Sequence, residues 1–382
     1  MAETSGRLIA VQLEGAGMAD AIAEAWDRGD AVLPLPPGLP AEAQGPLLAE
    51  MRPAALVTPA GRAPLSGPEP VGREVAAVML TSGSTGAPKG VELTHTALRA
   101  SAGMVSARLG AGPGDRWLAC VPLHHIAGLA ILVRSALVGA RPVIHSRFDV
   151  GRVAGERGAT LVSLVPTMLA RLLDAGVDLT RWRRVLVGGG ALRPELLERA
   201  RAAGAAVVTS YGMTETCGGC VLDGRPLESV TLTLGQGGVI AIGGPMLMRG
   251  YRARPELTAR MLRDGRLQTA DIGRWDGHGR LEILGRADDV IITGGEKVWP
   301  DAVAARLAEH PLVADAKVVG EPDPEWGQRV VALVVPADPG TPPTLEELRS
   351  WVVGRLERHN APKAVVILAQ TPGPASGRKQ GW

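Results

Sequence analysis

A loop of glycines and hydroxyl residues between two apolar stretches restricts this fold more than any other feature. Residues 75–80 predict a buried strand, residues 91–93 predict a second one, and TSGSTGAPKG (residues 81–90) lies between them. Glycines let a backbone approach an anion closely, while hydroxyls and an ammonium donate hydrogen bonds to phosphate oxygens. The pattern predicts a β-hairpin whose loop binds a triphosphate through Thr81, Ser82, Gly83, Ser84, Thr85, Gly86 and Lys89.

This loop differs from the Walker A loop, in which the lysine opens a helix that faces the phosphate. Pro88 favours an extended conformation for Ala87, and Gly90 leads into strand-like sequence rather than a helix. A polar turn is the simpler alternative, because clusters of Gly, Ser and Thr commonly form turns. The density of hydroxyls beside a lysine favours the phosphate loop.

Helical and strand-like segments alternate along the first part of the chain. Residues 17–29 and 41–51 predict helices, residues 31–35 and 54–58 predict strands, and residues 60–72 predict a Gly/Pro loop. Such alternation is typical of an α/β fold with parallel strands.

Capping signals mark two later helices. Thr94 or Thr96 is placed to cap a helix that ends near Leu109. Thr344 and Glu347 form a capping box near the C-terminus, where short strands and helices predict a compact α+β unit.

Length, charge and cysteine content narrow the class of protein. A chain of 382 residues suits one large and one small domain. Its formal net charge of +2 gives no field that would attract nucleic acid or a membrane. The three cysteines, two of them in a C-x-x-C at Cys217 and Cys220, predict thiols in a reducing compartment rather than disulfides or a zinc site. No signal peptide is evident, so the expected location is cytoplasmic.

A second motif with clear chemistry is TSYGMTET, residues 209–216, at the end of a strand predicted for residues 205–209. An aromatic ring can stack on a purine, and a hydroxyl can bind the α-phosphate. One carboxylate suffices for Mg²⁺, which takes its other ligands from phosphate oxygens and water. The motif predicts nucleotide and metal contacts from Ser210, Tyr211, Gly212, Met213, Thr214 and Glu215.

Two other segments suit a nucleotide. Three glycines at residues 188–190 follow an apolar strand, where bare backbone can lie against a flat or phosphorylated group. A tight strand-to-helix turn is the alternative, and both can hold. In TADIG, residues 269–273, the Asp271 carboxylate can accept both hydroxyls of a ribose, with a turn aspartate as the simpler explanation.

An acid-binding pocket is predicted at the end of a strand at residues 117–121. His124 and His125 follow it, and ligands of α/β sheets bind at this end of the strands. The next helix carries Arg134 in an apolar setting, where an unpaired charge is unfavourable. Arg134 therefore reaches solvent, pairs internally or meets an anionic substrate, and internal pairing is favoured. Arg171, on the flank of a later helix, is a further candidate for a substrate carboxylate.

Taken in order, TSGSTGAPKG, YGMTE and TADIG resemble the signature motifs of the adenylate-forming enzymes: acyl- and aryl-CoA ligases, nonribosomal peptide adenylation domains and luciferases. The resemblance covers nearly the whole chain. It implies ATP, Mg²⁺ and coenzyme A as ligands. It also implies a large N-terminal α/β domain with layered sheets (residues 1–285) and a small, mobile α+β C-terminal domain (residues 286–382), with a hinge near Asp288.

The resemblance implies roles for single residues as well. It assigns His125 to the acyl pocket and leaves His124 a structural role. It assigns the metal to Glu215, the ribose to Asp271 and Arg286, and the adenine to Gly188, Gly189 and Gly190.

The family's C-terminal lysine lies between the carboxylate and the α-phosphate, where a cation lowers the barrier to attack. The aligned position here is Arg378, and Lys379 follows it. Because Arg and Lys differ in geometry, the prediction favours Lys379 and keeps Arg378 as the alternative. The predicted catalytic residues are Lys379, Arg378, Thr214 and His125.

Within the family, residues 128–140 and 209–230 look most like the o-succinylbenzoate–CoA ligases of menaquinone biosynthesis, in their compact actinobacterial form. The implied reaction adenylates a carboxylic acid and then transfers it to CoA. Gly218 and Gly219 would leave room for the ring of the acid. The alternatives are another aryl- or acyl-CoA ligase, a domain that loads a carrier protein, and a non-catalytic nucleotide-binding homologue. A homodimer is one possible assembly.

Overall fold

The computed structural model describes residues 6–81 and 88–370. The chain divides into two compact units. The first comprises the residues up to Leu232 together with Ile242–Gln268, and the second comprises Thr233–Ala241 together with the residues from Thr269 onwards.

The helices and strands of the described residues alternate through most of the chain. As far as residue 226 they are β1 (Leu8–Val11), α1 (Gly15–Asp27), β2 (Ala31–Pro34), α2 (Ala41–Met51), β3 (Ala55–Thr58), β4 (Gly61–Pro64), β5 (Val75–Thr81), β6 (Lys89–Thr94), α3 (His95–Leu109), β7 (Trp117–Ala119), α4 (Ile126–Leu137), β8 (Val143–Ile144), α5 (Val150–Gly155), β9 (Leu161–Leu164), α6 (Pro166–Asp174), β10 (Arg184–Val187), α7 (Pro194–Ala202), β11 (Val207–Met213), β12 (Gly218–Leu222) and β13 (Arg225–Pro226). Beyond that residue they are β14 (Thr231–Leu234), β15 (Val239–Gly243), β16 (Gly250–Tyr251), α8 (Pro255–Met261), β17 (Leu262–Arg263), β18 (Arg266–Trp275), β19 (Leu281–Arg286), β20 (Ile291–Thr293), β21 (Glu296–Val298), α9 (Pro300–Ala308), β22 (Val313–Asp323), β23 (Gly327–Pro336), α10 (Leu345–Val353) and β24 (Ala364–Ile367).

Two seven-stranded sheets organise the first unit. Their strand orders are β16-β6-β5-β2-β1-β3-β4 and β13-β12-β11-β10-β9-β7-β8. Strand β1 pairs in parallel with β2 and β3, and β10 pairs in parallel with β9 and β11. Strands such as β1 and β9 are buried along their whole length, as expected where helices cover both faces of a sheet. The predicted α/β fold with parallel, layered sheets is confirmed.

The hairpin predicted around the phosphate loop is also present on either side of it. Strands β5 and β6 pair antiparallel, with Thr81 opposite Lys89. The two strands therefore bring these two loop-flanking residues together at one end of the ladder.

The predicted helix caps are confirmed. The Thr94 hydroxyl accepts a hydrogen bond of 3.0 Å from the amide of Ala97 at the start of α3. At α10 the Thr344 hydroxyl accepts one from the amide of Glu347, whose carboxylate in turn accepts one from the amide of Thr344. Each cap satisfies amides that the first turn of a helix leaves without a partner.

Two local predictions are wrong. Residues 60–72, predicted as a loop, contain the short strand β4, which pairs antiparallel with β3. Its Gly and Pro are tolerated because it lies at the edge of the sheet. The strand predicted to end at residue 209 continues to Met213, because β12 turns back and pairs with it.

The second unit contains a core of its own. Strands β22 and β23 form a long antiparallel hairpin, and β24 pairs with β23 in parallel. Helices α9 and α10 contribute Leu307 and Leu348 to a buried cluster with Val330. This arrangement agrees with the predicted α+β unit. Among the described residues, no helix has both the length and the apolar character needed to cross a bilayer.

Candidate active site

The two glycine-containing motifs of the first unit lie side by side. Strands β10 and β11 run parallel, with Val187 opposite Thr209, so Gly188 comes next to Ser210. A Cβ atom on Gly188 would lie 3.0 Å from the Ser210 carbonyl oxygen. Gly189 and Gly190 follow at the same strand end, near Val165 and Pro166. The structure therefore places side by side two stretches whose proximity the sequence does not reveal.

The TSYGMTET motif continues into a hairpin packed backbone to backbone. Gly212 pairs with Gly219 and Met213 with Gly218 across β11 and β12. A Cβ atom on Gly212 would lie 2.1 Å from the Gly218 carbonyl oxygen, and one on Gly219 would lie 2.2 Å from Ser210 Oγ. Gly218 has a φ of +97°, a conformation that L side chains rarely adopt. Gly212 and Gly218 are therefore structural requirements of this hairpin, whereas a side chain at Gly219 would have to displace the Ser210 hydroxyl.

Gly212→Ala is expected to lower the free energy of unfolding by about 3 kcal/mol, since backbone rather than a flexible side chain blocks the new methyl group. Denaturant unfolding measures the change. Gly103→Ala is the matched control, because Gly103 lies in α3 with no other atom within 4 Å of the added carbon. That variant should be neutral or more stable by up to about 1 kcal/mol. Equal unfolding free energies for the two variants would contradict the close approach.

The turn that carries Glu215 is fixed from several directions. The buried Thr216 hydroxyl accepts a hydrogen bond from the Met213 amide and donates to the Gly218 carbonyl at 2.7 Å. Ser101 of α3 donates to the Cys217 carbonyl at 2.9 Å, and the Met248 amide donates to the Glu215 carbonyl at 2.8 Å. The backbone of the candidate metal ligand is thus held on both sides.

The side chain of Glu215 meets a residue that the sequence did not single out. The Tyr251 hydroxyl donates a hydrogen bond of 2.8 Å to Glu215 Oε1. The Lys89 ammonium lies 5.9 Å from the centroid of the Tyr251 ring. The phosphate-loop lysine and the candidate metal ligand therefore meet at one tyrosine. Burial, the nearby Glu215 charge and this hydrogen bond raise the pKa of Tyr251 well above its usual value, so the phenol remains a donor.

The donor set at Glu215 fits Mg²⁺. Among the described residues, no three His, Cys, Asp or Glu side chains are grouped to hold a metal. A single carboxylate is what Mg²⁺ takes where phosphate oxygens and water complete its octahedron. The cysteines offer no competing site, since all three are buried and burial raises the pKa of Cys120 to about 12.

The two histidines lie in the turn between β7, which ends at Ala119 rather than at the predicted Val121, and α4. His125 precedes α4 and is exposed, and its ring centroid lies 4.4 Å from that of His124. Partial desolvation of the two rings lowers the pKa of both imidazoles, that of His124 to about 4. Both rings are therefore neutral at pH 7. A Cβ atom on Gly128 would lie 2.3 Å from the Pro122 carbonyl, so this glycine closes the turn that presents His125.

Arg134 lies inside the first unit, on α4. It is 3% exposed, and its guanidinium carbon lies 5.2 Å from the centroid of the Trp117 ring. Within the described part of the chain, Arg134 Nε, Arg134 Nη1 and Trp117 Nε1 are buried donors without an acceptor. Burial lowers the pKa of Arg134 only to about 10, so it is charged at pH 7. The favoured prediction, internal pairing with a charge, has no counterpart among the described residues.

This arginine also lies against the hairpin. A Cβ atom on Gly218 would lie 3.9 Å from Arg134 Nη2 and within 4.0 Å of Ile126 and Ala130. The side chains of α4 therefore pack next to Gly218 of β12. Arg171, by contrast, is exposed on α6, and no side-chain hydrogen bond or ion pair of the described residues joins it to this group.

The ribose candidates lie in the second unit. Asp271 and Arg286 are directly paired residues of β18 and β19, and Arg286 Nη1 lies 3.2 Å from Asp271 Oδ1. Arg286 also donates two hydrogen bonds, of 3.0 and 2.9 Å, to the two carboxylate oxygens of Asp288. Hydrogen bonding to Asp288 and the surrounding carboxylates raise the pKa of Arg286. Asp271, Arg286 and Asp288 thus form one charged cluster.

The remaining candidates lie outside the described residues. They are Ser82, Gly83, Ser84, Thr85 and Gly86 of the phosphate loop, and the C-terminal pair Arg378 and Lys379.

Two family models match this chain. The AMP-binding enzyme family matches residues 39–252, and the AMP-binding enzyme C-terminal domain matches residues 302–378. The first match alone spans more than half of the 382 residues. The chain belongs to the AMP-binding enzyme family. The resemblance to the adenylate-forming enzymes is therefore confirmed.

This AMP-binding enzyme has well-covered relatives. A protein of Mycobacterium tuberculosis named probable 2-succinylbenzoate–CoA ligase is 44% identical over 323 residues, which span 81% of this chain and 84% of the relative. The o-succinylbenzoate CoA synthetase of Bacillus subtilis, solved with the acyl-adenylate OSB-AMP, superposes with a TM-score of 0.86 at 30% identity and covers 96% of this chain and 86% of that one. The same synthetase solved with ATP and a magnesium ion gives 0.85 at 30%, with 96% and 87% covered.

Sequence reasoning missed two residues of this AMP-binding enzyme. Tyr251 is one of only two tyrosines in the chain, which was a usable signal, but no spacing rule connects it to Glu215. Trp117 was assigned only to a buried strand, and its donor beside Arg134 becomes visible once α4 packs on β7.

Proposed function

We propose that the protein is an ATP-dependent acid–CoA ligase that adenylates 2-succinylbenzoate and then transfers the acyl group to coenzyme A. One observation carries the substrate assignment: the glycine hairpin of the nucleotide motif borders a buried arginine whose Nε and Nη1 donors have no acceptor among the described residues. A buried, unpaired guanidinium is unfavourable, and a substrate carboxylate would satisfy it in the two-oxygen geometry that arginine prefers. The mycobacterial relative of matching length supports the same acid.

The acid carries two carboxylates, and we propose a different task for each. The ring carboxylate binds Arg134 and Trp117 Nε1, while the succinyl carboxylate is free to attack the α-phosphorus of ATP. Gly218 and Gly219 leave room for the ring between these ends, and His125 lines the pocket near α4. Pyrophosphate leaves, and the CoA thiolate then displaces AMP from the acyl-adenylate.

The nucleotide would be bound by residues of both motifs. Lys89 and the hydroxyl loop bind the triphosphate, Tyr211 stacks on the purine, and Thr214 binds the α-phosphate. Glu215 would hold Mg²⁺, which when bound neutralises charge on the phosphate oxygens during attack. Gly188, Gly189 and Gly190 leave space for the adenine.

The second unit contributes the ribose site and the catalytic cation. Asp271 and Arg286 would bind the ribose, and Lys379, with Arg378 as its alternative, would bridge the carboxylate and the α-phosphate. Between the half-reactions the residues from 286 onwards would rotate near Asp288.

The assignment is tested by comparing 2-succinylbenzoate with 4-oxo-4-phenylbutanoate, which lacks only the ring carboxylate. Acyl-CoA formation from ATP and CoA should be about 10²- to 10³-fold less efficient with the second acid, since it leaves buried donors unpaired. Equal kcat/KM values would remove the carboxylate assignment. A different aromatic acid that is clearly preferred would replace the substrate and leave the reaction class.

The alternative functions would give different results when the same acids are tested with ATP and CoA. Acyl-adenylate formation without acyl-CoA would indicate a carrier-protein-loading domain. No exchange of labelled pyrophosphate into ATP with any acid would indicate a nucleotide-binding homologue without activity. A cytoplasmic location follows from the proposed use of ATP and CoA. The homodimer stays a prediction, which light scattering of the purified protein would test.

A further inference from the structure

Tyr251 contacts the candidate metal ligand but belongs to neither nucleotide motif. Its hydroxyl donates to Glu215 Oε1 at 2.8 Å, and the residue is only 6% exposed. A carboxylate has two oxygens, and a hydroxyl bound to one of them fixes the plane in which the other faces a metal. Glu215 Oε2 has no bond to another described side chain, so it is the oxygen available to Mg²⁺.

The tyrosine itself is rigidly placed. Its amide donates to the Thr258 hydroxyl at 2.8 Å, and strand β16 pairs with β6, where Tyr251 lies opposite Val91. The next residue, Arg252, is 4% exposed and donates to the carbonyls of Met51 and Glu69. The strand that carries Tyr251 is therefore anchored at several points that do not involve the nucleotide motifs.

The ring has a second neighbour in Lys89. An ammonium 5.9 Å from an aromatic centroid is attracted to the face of the ring, and Tyr251 thus lies beside both the cation and the anion of this region. Were the hydroxyl absent, Glu215 could turn toward that ammonium, because opposite charges attract strongly in a partly buried site. An ion pair of that kind would compete with the metal for the carboxylate.

We propose that Tyr251 is a positioning residue that holds Glu215 in the orientation that binds Mg²⁺ and keeps it from pairing with Lys89. The proposal rests on the proposed function, since it needs a MgATP site at Glu215. It assigns Tyr251 no contact with the substrates and no proton transfer.

Tyr251→Phe tests this because it removes the hydroxyl and keeps the ring over which Lys89 lies. ATP binding is measured by calorimetry with EDTA present and then across a Mg²⁺ titration. The Mg²⁺ concentration at half-effect should rise about 10- to 100-fold, as for other groups that orient a metal ligand. ATP affinity in EDTA should be unchanged. An unshifted Mg²⁺ titration, or an equal loss of affinity in EDTA, would overturn the proposal.

Ser106→Ala is the matched control. It removes another buried hydroxyl of the first unit, on α3, which has no hydrogen-bond partner among the described residues, and it leaves the turn that carries Glu215 untouched. Its Mg²⁺ titration should overlay that of the wild type even if its melting temperature falls. A shift equal to that of Tyr251→Phe would make the tyrosine's role merely structural.

A double-mutant cycle keeps the idea testable if Tyr251→Phe is poorly stable. If the tyrosine acts through Glu215, its removal should add no further loss of Mg²⁺ response in a Glu215→Gln background. If the two substitutions instead reduce the Mg²⁺ response independently, so that their effects multiply, the proposal is overturned. If wild-type ATP binding does not respond to Mg²⁺ at all, the proposed function fails as well. A normal wild-type response with an unshifted Tyr251→Phe refutes the positioning role alone.

Discussion

Arg134→Met should yield a protein that is more stable than the wild type and nearly inactive toward 2-succinylbenzoate. Methionine fills a similar volume without a charge, and replacing an uncompensated buried ion by an apolar side chain is often stabilising. We expect the free energy of unfolding to rise by about 1–3 kcal/mol. The kcat/KM for 2-succinylbenzoate should fall about 10²- to 10³-fold, because the ring carboxylate would then lack the guanidinium proposed to bind it.

The substrate that lacks the ring carboxylate separates a binding effect from general damage. With 4-oxo-4-phenylbutanoate, Arg134→Met should be at least as active as the wild type, so the preference for the dicarboxylic acid disappears in the variant. Arg134→Lys serves as the charge-keeping control. It should retain part of the preference, since an ammonium supplies one charge without the planar fork.

Urea unfolding without ligands measures the stability, and acyl-CoA formation measures the preference. A variant less stable than the wild type would show that Arg134 is paired in the free protein. An unchanged ratio of kcat/KM for the two acids would show that the carboxylate binds elsewhere. Stability gained together with activity lost is the pattern expected of a residue kept for its function.

Glu215→Gln is expected to slow adenylation about 10²- to 10³-fold while sparing the second half-reaction. The amide keeps the size of the side chain but loses the charge proposed to bind Mg²⁺, and a lost charge-stabilising group at a phosphoryl centre has an effect of this order. Acyl transfer from a preformed acyl-adenylate to CoA involves no triphosphate. It should therefore proceed at nearly the wild-type rate.

Pyrophosphate exchange measures the first half-reaction, and acyl-CoA formation from synthetic acyl-adenylate measures the second. Glu228→Gln is a suitable control, because Glu228 is an exposed carboxylate of the same unit. That variant should match the wild type in both assays. If Glu215→Gln slows both half-reactions equally, Glu215 supports the hairpin rather than the metal.

Features with local causes were predictable from the sequence. Capping at Thr94 and Thr344 depends on residues three positions apart, so the local sequence alone indicates it. The hairpin around the phosphate loop was predictable because two apolar runs flank a turn-rich segment. The extension of β11 to Met213 was not, because it depends on pairing with β12, and the Tyr-Gly-Met sequence itself carries no strand signal.

In the candidate site, too, residue type and local setting were readable from the sequence, whereas contacts made by packing were not. The sequence identified Glu215 and Arg134 by residue type and setting, but it left open whether Arg134 pairs internally. That question depends on what surrounds a side chain after packing, and here the surroundings are Trp117 and a bare glycine. Tyr251 was missed for a related reason: the bond to Glu215 joins residues 36 positions apart, and no periodicity spans such a gap.

If the hairpin of Gly212, Gly218 and Gly219 borders the bound acid, as proposed, it limits how the enzyme could be redirected to other acids. A side chain at Gly212 would meet backbone, one at Gly218 would need a conformation that L residues rarely adopt, and one at Gly219 would have to displace the Ser210 hydroxyl. Substitutions on that side are therefore unfavourable. Ile126 and Ala130 of α4 lie opposite Gly218, where a changed side chain would leave both Arg134 and the hairpin backbone in place. A library for altered acid selectivity should therefore vary one helix and keep the opposing strands fixed.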